Sequence, residues 1–243
     1  MDIEIVTKQV KGMMVMQNAI NFKIDEDWMT RGRPWYRAIW VECGEMMEHI
    51  GYKWWKAPEL DLAQVQLEIV DIWHFGLSMM LEDEVGANVV GTWMVEYVKG
   101  CEEAQEVSDW EPDLTTRTEL FARQVLEPGS RGLFPLQAFT EMMYAANLST
   151  DDLFKMYTAK NVLNTFRQDH GYKTGDYVKI WFGEEDNVHL DRIAKKLDLG
   201  DPNYAKALYE KLSHTYLMCV THDNEMPGPV RVEILRHFCY RVV

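Results

Sequence analysis

The stretch WVECGEMMEHIGYKWWK, residues 40–56, decides how the chain is read. Trp35, Ala38, Glu42, Glu45 and His49 recur at i, i+3, i+7, i+10 and i+14, the spacing of one helix face. A core helix carries Leu or Val on its buried face, yet this one places glutamates there, just before a turn with three aromatics and two lysines. The segment VQLEIVDIWHFGLSMML, 65–81, repeats the anomaly: Glu68 and Asp71 interrupt a run of Leu67, Ile69, Val70, Ile72, Trp73 and Phe75. Residues three apart project from one helix face. A linker of about a dozen residues makes the two helices antiparallel neighbours, so ExxE is expected to face ExxD.

Carboxylates gathered in apolar surroundings cannot all stay ionised, because desolvation and mutual repulsion both disfavour the charged form. A divalent cation removes that penalty. All-oxygen ligation favours Mg²⁺ or Mn²⁺ over zinc, and Mg²⁺ commonly completes its shell with substrate phosphates. Phosphate chemistry also needs cations and donors, and KNVLNTFRQDHGYKTGDYVKIWFGEEDN, 160–187, carries them. Lys160, Asn164 and Arg167 form one polar stripe at i, i+4 and i+7. The glycine-punctuated turn brings Tyr172, Lys173 and Lys179 back toward the same helix end, and GEEDN opens a further helix whose first amides suit an anion.

The rest of the chain sets the frame. Its 243 residues are 47% hydrophobic with a net charge of −14, which suits a globular protein and argues against a nucleic-acid surface. Cys43, Cys101, Cys219 and Cys239 are scattered, with no pairing that suggests zinc or a disulfide framework, so they read as thiols of a reducing compartment. No apolar run is long enough for a signal segment or a membrane span, and the expectation is a soluble cytoplasmic protein. Helical periodicity predicts helices near 3–22, 35–50, 61–83, 86–104, 115–125, 134–147, 150–168, 186–197 and 201–218. Only YVKIWF, 177–182, has β character. The expected fold is all-α: one domain over 1–243, with core helices in 1–83 and 150–218, a helical insertion over 84–149, and a tail over 219–243 of undecided structure.

Taken together, the VEC-E segment, the YKWWK turn, EIVDIWHF and the long 160–187 motif resemble the dimeric all-α dUTPases of some bacteria, bacteriophages and trypanosomatids. These belong to the wider all-α nucleoside-triphosphate pyrophosphohydrolases marked by ExxE and ExxD. The resemblance is strong over 35–82 and 153–190, looser over the N-terminal helix, slight over 84–150 and absent after about 200. It implies a homodimer that hydrolyses dUTP, and dUDP, to dUMP, keeping uracil out of DNA and supplying dUMP for dTMP synthesis; in a virus it would work in the host cytoplasm. It implies Glu42, Glu45, Glu68 and Asp71 as Mg²⁺ ligands, with Glu45 also the base that activates water. Lys56, Lys160, Arg167, Tyr172 and Lys179 would contact phosphates. Gln17, Asn21 and Asn164 would contact the nucleoside, with Trp55 and Phe75 against the base. Asp186 and Asn187 match a substrate-contacting motif of undetermined role.

His74 is read as a core residue or a substrate contact, His49 as a surface or interface residue, and Met46, Met47, Met79 and Met80 as core filler. Two positions depart from the family pattern, Tyr52 in place of Trp and His170 in place of Asn. Base choice rests on a few hydrogen bonds, so the alternatives are a relative that acts on dCTP as well as dUTP or on another deoxynucleotide, and a nucleotide-sensing, partner-binding protein whose hydrolysis is incidental.

Overall fold

The computed structural model describes residues 1–57, 59–107, 113–127, 133–198, 201 and 203–222. Among these, nine α-helices and one two-residue hairpin make up the regular structure, an all-α fold. The chain divides into two compact units, Met1–Tyr157 and Thr158–Val243.

The first unit contains α1 (Ile3–Ile24), a 3-10 turn (Trp28–Thr30), α2 (Trp35–Ile50), α3 (Leu62–Glu82), α4 (Ala87–Val107), α5 (Leu114–Leu126) and α6 (Leu136–Ala145). Several starts are fixed locally. Asp2 accepts from the amides of Glu4 and Ile5, Asp61 from Gln64, and Asp113 from Thr115 and Thr116, so each side chain satisfies helix-start donors that have no partner within the helix. Helix α2 stops at Gly51, whose φ of 79° is the left-handed cap that glycine adopts without strain.

The interior is built around α3, whose Val65, Ile69, Val70, Ile72, Trp73 and Leu77 have no exposed surface. Trp73 stacks on Phe139 at 4.9 Å and meets Phe134 edge-on at 5.8 Å. Helix α3 packs on α1 and α2, and α2 packs also on α5. The segment 84–149 shares this core rather than covering it: Val90, Met94 and Val95 of α4, Phe121 of α5, and Phe139 and Met142 of α6 are buried with the residues of α1 to α3. Helices α1 and α4 approach closely at Gly91, where an added Cβ would lie 2.8 Å from the Thr7 Cα. Met46, Met79 and Met80 are core residues, and Met47 is half-buried.

The face that α2 buries differs from the expected one. The buried face of α2 is Ile39, Cys43 and Met46, not the stripe running through Glu42 and Glu45. Glu42 is half-buried at the edge of that face and Glu45 is exposed. The apolar side chains take the centre of the contact because burying carboxylates there would strip them of water without return.

The second unit takes in the C-terminal half of α7 (Thr150–Asp169), strands β1 (Ile180–Trp181) and β2 (Glu184–Glu185), α8 (Asp186–Ala194) and α9 (Tyr204–His222). Its core joins Leu163, Phe166, Trp181, Leu190, Leu208, Leu212 and Tyr216. The β character read over 177–182 becomes an antiparallel pair in which Ile180 faces Glu185 and Trp181 faces Glu184. Phe182 (φ 52°) and Gly183 (φ 83°) turn the chain, the double positive φ of a two-residue hairpin turn. Because α9 continues to His222, the expected tail begins later than 219, and the residues from 223 onward, Cys239 among them, lie outside the described residues. Cys43, Cys101 and Cys219 are buried free thiols. Among the described residues no helix is long and apolar enough to cross a membrane.

Candidate active site

Helices α2 and α3 run side by side, and their facing turns carry the acids. Oxygens of Glu42, Glu68 and Asp71 all lie within 4.8 Å of one another, with Glu68 buried and the other two half-buried. Burial, then the charges of Asp71, Glu45 and Glu68, and a hydrogen bond with Glu68 push the Glu42 carboxyl up to about 8. A carboxyl held near that value binds its proton until something replaces it, and a divalent cation is the replacement this donor set suits. Glu45 is exposed and is not one of the grouped ligands, although its charge acts on Glu42. His49, one turn beyond Glu45, lies with Nε2 3.6 Å from Glu68 Oε1, so it sits beside the acids instead of on a remote surface. Its place at i+7 from Glu42 was visible in the sequence; the direction it faces was not.

One to two turns further along α3, a polar group is sealed in the core. Gln17 and Asn21 of α1, His74 and Ser78 of α3, and Tyr157 are all buried. His74 stacks on Tyr157 at 4.2 Å and shares a 2.8 Å hydrogen bond, through Nδ1, with Gln17 Oε1. Both Gln17 N–H groups donate to protein, to Asn21 Oδ1 and Ser78 Oγ, so they reach a nucleoside only by exchanging one of these bonds, and Gln17 Oε1 shares the Tyr157 hydroxyl proton with the Met13 carbonyl. Neither Ser78 nor Tyr157 is marked by the sequence, since a serine and a tyrosine in apolar helices have no diagnostic spacing.

The aromatics expected near the base fall in two places. Phe75 is half-buried against Trp35, with ring centroids 6.2 Å apart. Trp55 is exposed in the 51–61 loop and meets Tyr52 and Trp54 edge-on at 5.9 and 5.6 Å. Lys56 is exposed in the same loop.

In the second unit Arg167 is the organised cation. Its Nε and Nη2 each donate to the Asp186 carboxylate at 2.8 Å, and its Nη1 donates to Asn164 Oδ1 at 3.2 Å. Burial alone would lower its pKa, but the bonds and charge of Asp186 outweigh it and raise it. Tyr177 donates to Asp186 at 2.7 Å, and burial together with that carboxylate drives the Tyr177 pKa up. Asp186 is fully buried, and its carboxylate accepts from Arg167 and Tyr177. Two Arg167 N–H groups remain for an anion. The guanidinium lies over the exposed Tyr172 ring, 5.8 Å from its centroid. Lys160 is buried on α7. Lys179 is exposed and paired with Glu185 at 3.2 Å. Asn187 Oδ1 is buried with no hydrogen-bond partner in the described structure.

A helical framework in which carboxylate oxygens from two adjacent helices lie within 4.8 Å of one another defines the class: an all-α protein with a carboxylate centre. The family profile described as dUTPase matches residues 9–172, and the chain belongs to the all-α dUTPase family. Its activity is accordingly that of a dUTP diphosphatase. A search of curated proteins finds no match to the chain.

Proposed function

We propose that the chain is a Mg²⁺-dependent dUTP pyrophosphatase that also accepts dUDP, working as a cytoplasmic homodimer, with Glu42, Glu45, Glu68 and Asp71 as the cation ligands. The observation that carries this reading is the joining of Glu42, Glu68 and Asp71, with Glu42 pushed up to about 8 by burial and its acidic neighbours. When bound, a divalent ion would neutralise those acids, polarise phosphate oxygens and acidify a water.

The side chains supply the rest. Glu45 is exposed where Glu42 is half-buried, so its carboxyl reaches an attacking water more freely, which favours it over Glu42 as base. The two uncommitted N–H groups of Arg167 would meet charge that grows on the leaving phosphate, held in orientation by Asp186 and Tyr177. Lys56, Lys160, Tyr172 and Lys179 are assigned to phosphate, and Asn164 to the nucleoside, on the family motif. Asn21 is assigned to the base, with Trp55 and Phe75 as its apolar walls and Gln17 and His74 behind it. Exposed Val15 and Phe22 on α1 and Trp40 and Val41 on α2 offer apolar surface for a second subunit.

The test is hydrolysis of a panel of deoxynucleoside di- and triphosphates with Mg²⁺, with Mn²⁺ and with EDTA. dUTP should give dUMP and pyrophosphate, dUDP should give dUMP and phosphate, and EDTA should abolish both until metal is restored. Turnover that survives EDTA, or a preference for dCTP, would sink the reading.

A further inference from the structure

The hydrogen bonds around Gln17 and Asn21 have a direction set by a single hydroxyl. Ser78 Oγ donates its one proton to the carbonyl of His74 at 3.0 Å. Toward both amides its oxygen is therefore an acceptor only. It accepts from Asn21 Nδ2 at 2.9 Å and from Gln17 Nε2 at 3.1 Å. Gln17 Nε2 gives its second proton to Asn21 Oδ1 at 3.0 Å. Gln17 Oε1 accepts from His74 Nδ1 at 2.8 Å, which places the ring proton on Nδ1, and competes with the Met13 carbonyl, at 2.9 against 3.0 Å, for the one proton of Tyr157 Oη. Both N–H groups of the Gln17 amide are thereby used, and its carbonyl faces His74 and Tyr157. Asn21 has used one N–H and one lone pair, and one of each remains.

We propose that Ser78 is a specificity-determining positioning residue, which fixes the Asn21 amide so that it pairs with the edge of uracil and rejects that of cytosine. The inference rests on the reading of Asn21 as the base contact. Uracil offers a ring N–H beside a carbonyl, and an amide meets them with its carbonyl and its N–H. Cytosine offers a bare ring nitrogen beside an amino group, so the amide would have to turn over. Turned over, Nδ2 would face the Gln17 N–H, donor against donor. Oδ1 would face a Ser78 oxygen whose proton is committed to His74, acceptor against acceptor. Both contacts are buried, where unmatched polar atoms are most costly. The direction of the network is set by a backbone carbonyl, which cannot itself turn over.

Ser78→Ala removes the acceptor, and Ser78→Cys keeps nearly the side-chain volume while replacing it with a weak one. The ratio of kcat/KM for dUTP to that for dCTP is the readout, with thermal melting to check that each variant is folded. Both variants should lower the ratio roughly tenfold or more, chiefly by gaining dCTP turnover. A fall in kcat/KM that is equal for the two substrates would mean that Ser78 only supports the core, and overturns the proposal. Asn21→Ala separates the two levels. If it leaves the ratio unchanged, the base-contact reading fails and the proposal with it. If it erodes the ratio while Ser78→Ala does not, the proposal alone fails.

Discussion

Glu42 and Glu45 are separated by three positions on one helix and live in different environments. Glu42 is half-buried among three other acids and held up to about 8, whereas Glu45 is in contact with solvent. A general base must be able to reach a water, and exposed Glu45 does so more freely than half-buried Glu42. Glu45→Gln is expected to lower kcat for dUTP by at least about 10²-fold, as when a positioned base is lost. Tight binding of a non-hydrolysable dUTP analogue should persist, as calorimetry would show. Near-normal kcat in that variant would remove Glu45 from the chemistry. Arg167 shows a similar division of labour, since a buried carboxylate and a tyrosine hold the guanidinium and two of its N–H groups are left over.

At the scale of elements, the helices follow from local sequence. The 3.6-residue periodicity predicts a helix over 35–50, and α2 is Trp35–Ile50. The rotation of α2 about its own axis was not legible. Two candidate faces, one through Glu42 and Glu45 and one through Ile39, Cys43 and Met46, have the same period, and only packing against α3 and α5 chooses between them. Close approach of helices is likewise a packing property. At Gly91 a methyl group would meet the Thr7 Cα at 2.8 Å and its Oγ1 at 2.5 Å, so α1 and α4 would have to move apart. Gly91→Ala would stabilise an isolated helix by about 1 kcal/mol, but here overpacking should win. Urea titration is expected to show a net loss of about 1–3 kcal/mol. A gain in stability would mean that the two helices separate without penalty.

The acid centre also affects the whole molecule through its protons. In metal-free protein the folded Glu42 carboxyl titrates near 8 and the unfolded one near its ordinary value of 4.5. The folded state therefore binds that proton more tightly. Its contribution to stability is fully present below about pH 4.5 and is lost as pH rises toward 8. Asp25, held down to about 2 by Arg31 and then Arg33, has the opposite sign, and its contribution is lost only at acid pH, outside this window. In EDTA the melting temperature should fall between pH 5 and 8.5, and Mg²⁺ should raise it more at pH 8 than at pH 5.5. Glu42→Gln should flatten the fall, which separates this effect from the general repulsion of a chain with net charge −14. An unchanged slope in that variant would show that Glu42 is ionised in the folded apoprotein.

By itself the sequence determined the all-α class, the helix spans, the pairing of acids within each helix and the family motif. Each depends on spacing along the chain, and helical spacing is set by bonds between residues four apart. Only the tertiary structure decided that oxygens of Glu42, Glu68 and Asp71 lie within 4.8 Å of one another while Glu45 is exposed beside them. It also decided that both Gln17 N–H groups meet protein acceptors, that Asp186 holds Arg167, and that Ser78 Oγ accepts from the amides of both Gln17 and Asn21. Those outcomes depend on how each helix is turned about its axis. That turn is fixed by apolar side chains far apart in sequence, among them Trp73, Phe139 and Met46, which carry no chemistry of their own.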